Sequence, residues 1–476
     1  MLFLIFTCNF SCILIKYKKH HITIGLTVIT FSFEKDIASL HSAWSEWKYS
    51  VYHKDTPRHY NLSVQGFYGS GKTEFLRQFC EQNKDAVYMN FKDLDSNTAL
   101  SVFCNQILDG ESAADWIEAV EKYKKLTGTR FRVLFIDDDN GSAAYKDFES
   151  AIQSVKLHDH TLVLHVKSLA PESEQKPGNI KPRSIVDFLL AFPNYDKADV
   201  IRLHGLTGGL PAVAKELDTD IPIEENLKLL LRHDSAFSHF APSILQKLFR
   251  SPESYHPILY SIACGKHRLS EIAKDIGFPN NKCGKYLEAL IKAGLVKAHK
   301  GTENGFARYF LTNSYIKSWY LYIYKNRMLQ ITNPQGLFNK VIESLDKAIA
   351  LPALEESCIR FIDNKYKIEN GCFIDHHVKG KTKPVYLKHK DGFRFKIDCI
   401  IENNGKTLVC VFPHSFDEKI TKEQLEHYIN VSCRYGSLCS EVSLVVFSVN
   451  RFSDWCVHQA SILEQLFCVP LERLKY

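Results

Sequence analysis

No C-x-x-C pair occurs in the 476 residues, no segment repeats, and no stretch is of low complexity. Glycine (23) and proline (16) are sparse, and 60 basic against 54 acidic side chains leave a net charge of only +6. Each absence excludes a class. Without paired cysteines a disulfide framework is not expected, and because the closest clusters, Cys8 with Cys12 and Cys433 with Cys439, have no histidines at finger spacing, neither is a structural metal site. The fourteen scattered cysteines read as reduced thiols, which fits a cytoplasmic chain. Few Gly and Pro argue against fibre or disorder. A small net charge permits a nucleic-acid partner without demanding one. The opening "MLFLIFTCNFSCILIKYKKHH" carries an apolar run of about fifteen residues, short of the roughly twenty a membrane helix needs, and its charge comes last rather than first. Residues 1–30 are therefore expected to be an extension or a short core strand, with no membrane partner.

What is present is material for several cores. The chain is 45% apolar and 24% charged, and its length suggests about three domains. After residue 30, short β-branched or aromatic runs alternate with helix-like stretches: "LSVQG", "GKTEFLRQFCEQN", "DAVYMNF", "FRVLFID" and "TLVLHV". That alternation is βαβ logic and predicts a parallel sheet with at least four strands by residue 166. The Pro- and charge-rich 171–183 is expected to be an exposed loop. Beyond it, "SIVDFLLAF" and "IEENLKLLLRH" have helical spacing and suggest a small lid. Three short helices, a turn "GTENG" and the strand-like "FARYFLT" follow in 251–330, the order of a winged helix-turn-helix. The remainder returns to mixed α and β, with strands expected around Phe393–Ile401, Lys406–Phe412 and Val442–Val449.

Two constellations carry chemistry. "SVQGFYGSGKTEFL" matches G-x-x-x-x-G-K-[ST], lies between a strand and a helix, and brings together Gly66, Gly69, Ser70, Gly71, Lys72, Thr73 and Glu74. A glycine-bearing turn lets backbone N–H groups face phosphates at the positive end of a helix. Lys72 then reaches the β and γ oxygens of ATP, and Thr73 supplies a hydroxyl to Mg2+. "VLFIDDD" ends a buried strand in acid: Asp137 is the candidate second metal ligand, on a strand expected to neighbour the first, and Asp138 the candidate that orients water. Ser168, at the end of the fourth strand, could sense the γ-phosphate or close an ordinary turn. In "LTGGLPAVAKEL", Gly208 and Gly209 before Pro211 are expected to end a loop and start a helix.

In their order along the chain, "GFYGSGKTEFLRQF", "VLFIDDD", "RSIVDFLLAF", "LTGGLPAVAKELD", "IEENLKLLLRHDSAF" and the helical block through "ARYFLTNSYIKSWYLYIYKNR" resemble the archaeal ATPase family, a branch of the AAA+ and signal-transduction ATPases of archaea and bacteria. The resemblance covers most of residues 31–330. It implies a P-loop ATPase core over 31–218, a helical lid and winged helix over 219–330, and a restriction-endonuclease-like domain over 331–476. It also implies ATP and Mg2+ as cofactors, coupling of nucleotide to lid through "LTGGLPAVAKEL", possible DNA contact through the winged helix, and a protein partner or homo-oligomer. This sequence departs from the family pattern at Phe67, Tyr68 and Ser70, where members place arginines, and at Asp138, where Glu is usual; the opening motif with Gly and Arg is replaced by "FSFEKDIASL". Asp is one methylene shorter than Glu, so slow turnover is expected.

A winged helix would carry Lys266, His267, Arg268, Lys274, Lys282, Lys285, Lys292 and Lys297, with Lys300 and Arg308 at its wing, and its helix from Asn280 would enter the major groove. Packing against protein is the competing reading. For the last domain the resemblance implies a metal held by Glu355 or Glu356 and Asp398, but Phe412 and His414 stand where the nuclease pattern has Glu and Lys. Phenylalanine cannot ligate a hard cation. That domain is expected to be a degenerate binding or oligomerisation platform.

Overall fold

The computed structural model describes residues 33–52, 64–138, 141–157, 160–168, 179–300, 307–363, 385–388, 394–397, 399–403, 406–416, 419–433 and 442–474. The expectation for residues 1–30, the turn "GTENG" and Asp398 lie outside them.

Helix α1 (Glu34–Tyr52) buries Ile37, Leu40, Trp44 and Trp47, a stripe at helical spacing. There follow β1 (Val64–Gly66), α2 (Lys72–Gln82), β2 (Ala86–Asn90), α3 (Ser96–Ile107), α4 (Trp116–Thr127), β3 (Arg132–Asp137), α5 (Ala143–Val155), β4 (Thr161–Ser168) and β5 (Asn179–Ile180). The five strands form one parallel sheet in the order β2-β3-β4-β1-β5. Both faces are covered, which is why β3 is continuously apolar. Val133 and Phe135 pack with α1 and α2 through Trp44, Phe75 and Phe79. Leu134 and Ile136 face α3, α4 and α5 through Phe103, Trp116 and Phe148. Aspartate or serine caps start several helices: Asp95 accepts from the N–H groups of Asn97 and Thr98, Asp115 from Glu118 and Ser142 from Tyr145, each cap contributing about 1 kcal/mol.

Two expectations change here. The stretch 171–183 is not all loop: Asn179 and Ile180 form β5, and Ile180 is fully buried beside β1. Its two ladder positions were too short to stand out in a charged sequence. The strand ending in Asp137 is not next to β1, because β4 lies between β1 and β3.

Helices α6 (Ile185–Ala191), α7 (Lys197–Thr207), α8 (Pro211–Ala214), α9 (Ile223–Leu230) and α10 (Ala236–Leu248) follow, with Gly208 and Gly209 at positive φ between α7 and α8. Next come α11 (His256–Ala263), α12 (Leu269–Ile276), α13 (Asn280–Lys292) and an antiparallel hairpin of β6 (Val296–Lys300) and β7 (Ala307–Leu311). One large core joins all of these to Phe67 and Tyr68, the residues after β1. Helices α14 (Ser314–Trp319), α15 (Arg327–Thr332), α16 (Pro334–Leu345) and α17 (Leu351–Asp363) lead on to the last region.

There, β8 (Val385–Lys388) pairs with β9 (Arg394–Ile397), while β10 (Cys399–Asn403), β11 (Lys406–Val411), β12 (Val442–Ser448) and β13 (Leu466–Pro470) form a second sheet that also carries α18 (Lys422–Ser432) and α19 (Asp454–Ile462). The run expected as one strand around Phe393–Ile401 is thus split between two sheets. Both this region and the segment between α16 and α17 are tied to α7: Arg202 makes a two-bond fork to Asp346 at 2.7 and 2.9 Å, and Lys197 reaches the Val449 carbonyl and Glu472, each at 2.7 Å.

His204 of α7 is buried, with Nε2 3.1 Å from the Arg183 carbonyl and its ring edge-on to Phe188. Burial pulls its pKa down to about 4, against the opposing Arg183 bond. Unfolded imidazole titrates near 6.5, so between those values the unfolded chain binds a proton that the folded chain refuses, and stability falls as pH drops through that window. The native chain is expected to lose on the order of 3 kcal/mol more than His204→Gln between pH 7 and pH 4. Urea midpoints across that range check this; parallel profiles would refute it.

Candidate functional site

The turn from Gly66 to Thr73 is fixed from three sides. Gly66 lies under β5, where a Cβ would stand 2.3 Å from the Ile180 carbonyl oxygen. Gly71 has φ of 94°, which L side chains rarely adopt, and a Cβ there would also strike Phe33 at 2.7 Å. From the helical side, the Ala212 N–H donates to the Gly69 carbonyl at 3.2 Å and Phe240 lies over Gly69. Helix α2 starts directly from this turn with no side chain capping it, so its positive end faces the concavity. Lys72 is buried, with Nζ donating to the carbonyls of Gly66 (3.0 Å) and Phe67 (3.1 Å), which anchors its ammonium beside the turn. Ser70 is wholly buried, and its hydroxyl makes no hydrogen bond among the described residues. A hydroxyl without a partner in a cradle that a Cβ would fill fits an oxyanion ligand.

Asp137 is 1% exposed at the end of β3 and collects three donors. Lys92 lies 2.9 Å from Oδ1, the Tyr88 hydroxyl donates to Oδ2 at 2.8 Å, and Thr73 Oγ1 donates to Oδ2 at 3.4 Å. Although β4 separates the strands, the first turn of α2 brings Thr73 across to Asp137, and Thr73 itself is solvent-exposed. A buried carboxylate needs a positive partner; Lys92 provides it where a divalent cation could also bind. Asp138 is 3% exposed, and its Oδ2 accepts from the Ser142 N–H at 2.8 Å, closing the loop before α5.

The other candidates fall as follows. The Glu74 carboxylate points along α2 to Arg77 and Gln78, each 2.7 Å away, and hydrogen bonding by Arg77 lowers its pKa. Ser168 pairs in register with Gly66 and so stands beside the mouth of the turn. Of the nuclease-like set, Glu356 is bound by Lys297 at 2.9 and 3.0 Å and by Arg360 at 3.4 Å, Phe412 is buried in the core between α17 and the second sheet, and Asp398 lies outside the described residues. Of the basic set, Lys266, Arg268, Lys274, Lys282, Lys285, Lys292 and Arg308 are exposed. Lys297 instead turns inward to Glu356, and His267 bonds the Tyr309 carbonyl and stacks on Phe310.

Sequence reasoning missed Lys92 and Tyr88, which belong to no motif. The one clue is that they flank the end of β2, whose Asn90 is in register with Asp137. It also missed Arg183, just past β5, whose buried guanidinium lies 4.2 Å from the Phe33 ring centroid and 3.4 Å from Asp36. Burial raises the Asp36 pKa, and Arg183 opposes that shift.

No family model matches the chain. An uncharacterized protein of Methanocaldococcus jannaschii, MJECL04, is 24% identical over 152 residues, covering 31% of this chain and 34% of its own; the match thus spans about a third of that relative's length. Among solved structures, a chain of Drosophila ORC bound to AT-rich DNA and Cdc6 overlays 60% of this chain and 95% of its own at 11% identity and a TM-score of 0.19. Caenorhabditis elegans PCH-2 overlays 47% and 65% at 12% identity and a TM-score of 0.24. Overlays at these scores add nothing to the strand order and loop geometry.

Lys92→Met removes the charge beside Asp137. The expected cost is about 3 kcal/mol in urea unfolding, because a buried carboxylate loses its cation, with part of the loss recovered in millimolar magnesium. A cost below about 1 kcal/mol, the range of exposed pairs, would show that Lys92 does not carry this balance.

Proposed function

We propose that the chain is an ATP-binding, slowly hydrolysing P-loop ATPase that works as a nucleotide-dependent switch. The observation that carries this reading is the meeting of the lysine-bearing turn with the buried aspartate, where Thr73 Oγ1 stands 3.4 Å from Asp137 Oδ2. Bound magnesium triphosphate supplies the leaving group and a cation that offsets charge on the phosphate oxygens. Lys72 and the backbone N–H groups from Gly69 to Thr73 would hold the phosphates; Thr73 and Asp137 would hold the metal, with Lys92 yielding Oδ1. Asp138 would orient the attacking water. Its side chain is short and already accepts from Ser142, and a displacement near 1 Å in a positioning group can cost about a hundredfold in rate. Slow turnover suits a switch.

The output would pass through the helices. Gly69 is held by Ala212 and Phe240, and Phe67 and Tyr68 sit in the helical core, so a ligand that orders the turn acts on both sides of it. In this reading 31–218 is the ATPase core, 219–330 the lid and winged helix, and 331–476 a binding or oligomerisation platform without nuclease activity.

A second reading, a DNA-binding regulator or defence protein in which ATP is structural and the nuclease-like domain inactive, draws on α13. Lys282, Lys285 and Lys292 are exposed along one stripe, while Cys283, Leu287 and Leu290 are buried on the opposite side.

Lys72→Ala is expected to weaken ATP binding at least a hundredfold in a fluorescent-nucleotide titration; unchanged affinity removes the proposal. Asp138→Glu is expected to raise turnover above the parent. Binding of labelled duplex that falls steeply between 50 and 200 mM salt, with turnover unaffected by DNA, would favour the second reading.

A further inference from the structure

Among α7, α11, the β6–β7 hairpin, α14 and α17 lies a cavity of about 180 Å³. Among the described residues its lining is basic: Lys297, Lys317 and Arg360 against one carboxylate, Glu356. Burial pushes the Glu356 pKa up, yet Lys297 and Arg360 outweigh burial and keep it below the usual range. Glu356 accepts from both of these cations. The third, Lys317, donates to a neutral acceptor, the Ala348 carbonyl, at 2.7 Å. Burial lowers its pKa, with partial opposition from the Glu355 carboxylate outside the cavity lining. Among the described lining residues cations thus outnumber anions, with Lys317 held only by a neutral acceptor in a partly desolvated wall where unbalanced charge is costly; an anion from solution relieves that cost.

A second feature refines the ligand. The His204 Nε2, 3.1 Å from the Arg183 carbonyl, must be the protonated nitrogen, which leaves Nδ1 as an acceptor. That Nδ1 is buried and makes no hydrogen bond among the described residues, and His204 is one of the cavity's lining residues. An acceptor of this kind calls for a hydroxyl or N–H. Size bounds the rest, because a cavity of about 150 Å³ admits benzene.

We infer that this cavity is a binding site for a small hydroxylated anion, a phosphate or carboxylate on a short carbon skeleton, whose head group meets Lys317, Lys297 and Arg360 while its hydroxyl donates to His204 Nδ1. Ile349 and Ala353 supply apolar wall for the skeleton. The site is separate from the Lys72 turn but borders the same connecting segment. Asn313 Nδ2 donates to the Gly208 carbonyl at 2.9 Å at the cavity wall, and four residues later Ala212 donates to Gly69.

The test is calorimetric titration of the full chain with glycerol 3-phosphate and with glycerate, using inorganic phosphate and glycerol as partial probes. No nucleotide is present, so the result is independent of the ATPase reading. Saturable binding of either hydroxylated anion is expected, weaker binding of inorganic phosphate and none of glycerol; the tighter of the first two identifies the head group. Lys317→Met is expected to weaken binding at least tenfold and Lys317→Arg to restore it. Should Lys317→Met fail to fold, amine footprinting of the unsubstituted protein decides, since the bound anion must shield Lys297 and Lys317 and leave the labelling of Lys72 unchanged. Absence of saturable binding, undiminished binding by folded Lys317→Met, or protection that falls on Lys72 overturns the inference.

Discussion

The N-terminal half is organised around one buried negative charge. Asp137 sits at the end of a strand that is apolar on both faces, and Lys92, Tyr88 and Thr73 converge on its side chain. Those three residues come from the end of β2, from β2 itself and from the first turn of α2, so the charge fixes how the turn after β1 meets the sheet two strands away. Hydrophobic burial holds the layers together, but it has no preference for where loops meet. The carboxylate and its donors supply that direction.

The turn is then clasped from outside. Phe33 and the Arg183–Asp36 pair cover its Gly71 side, and Phe240 and Ala212 its Gly69 side. Phe67 and Tyr68, the residues that open the turn, are both buried in the helical core. The turn therefore belongs to two packed bodies, the parallel sheet and the helices, and neither can shift without disturbing its backbone. The same economy recurs further on, where Glu356 of α17 fastens the hairpin strand β6 through Lys297 and leaves a basic cavity beside the joint.

A charged residue in a sequence carries no label for the surface it serves. Lys297 reads as one of a row of DNA-facing lysines, yet it neutralises a carboxylate on α17. Its immediate neighbours could not reveal this, because the partner lies 59 residues away. Lys92 is the converse: it reads as an ordinary charge in "NFKDLD" and stands at the centre of the site. The exposed stripe of Lys282, Lys285 and Lys292 was legible because helical periodicity alone places those residues opposite Leu287 and Leu290.

What the sequence alone determined was whatever local spacing encodes. The run of strand and helix up to residue 166, the glycine turn that opens a helix, the acidic end of β3 and the failure of Phe412 to suit a metal all follow from residue type and period. Tertiary structure alone decided the order of strands, the insertion of β4 between β1 and β3, and the recruitment of Asn179 and Ile180 as an edge strand. It also decided which cation meets which carboxylate. These depend on contacts between residues tens to hundreds of positions apart, and neither propensity nor periodicity carries information over that separation.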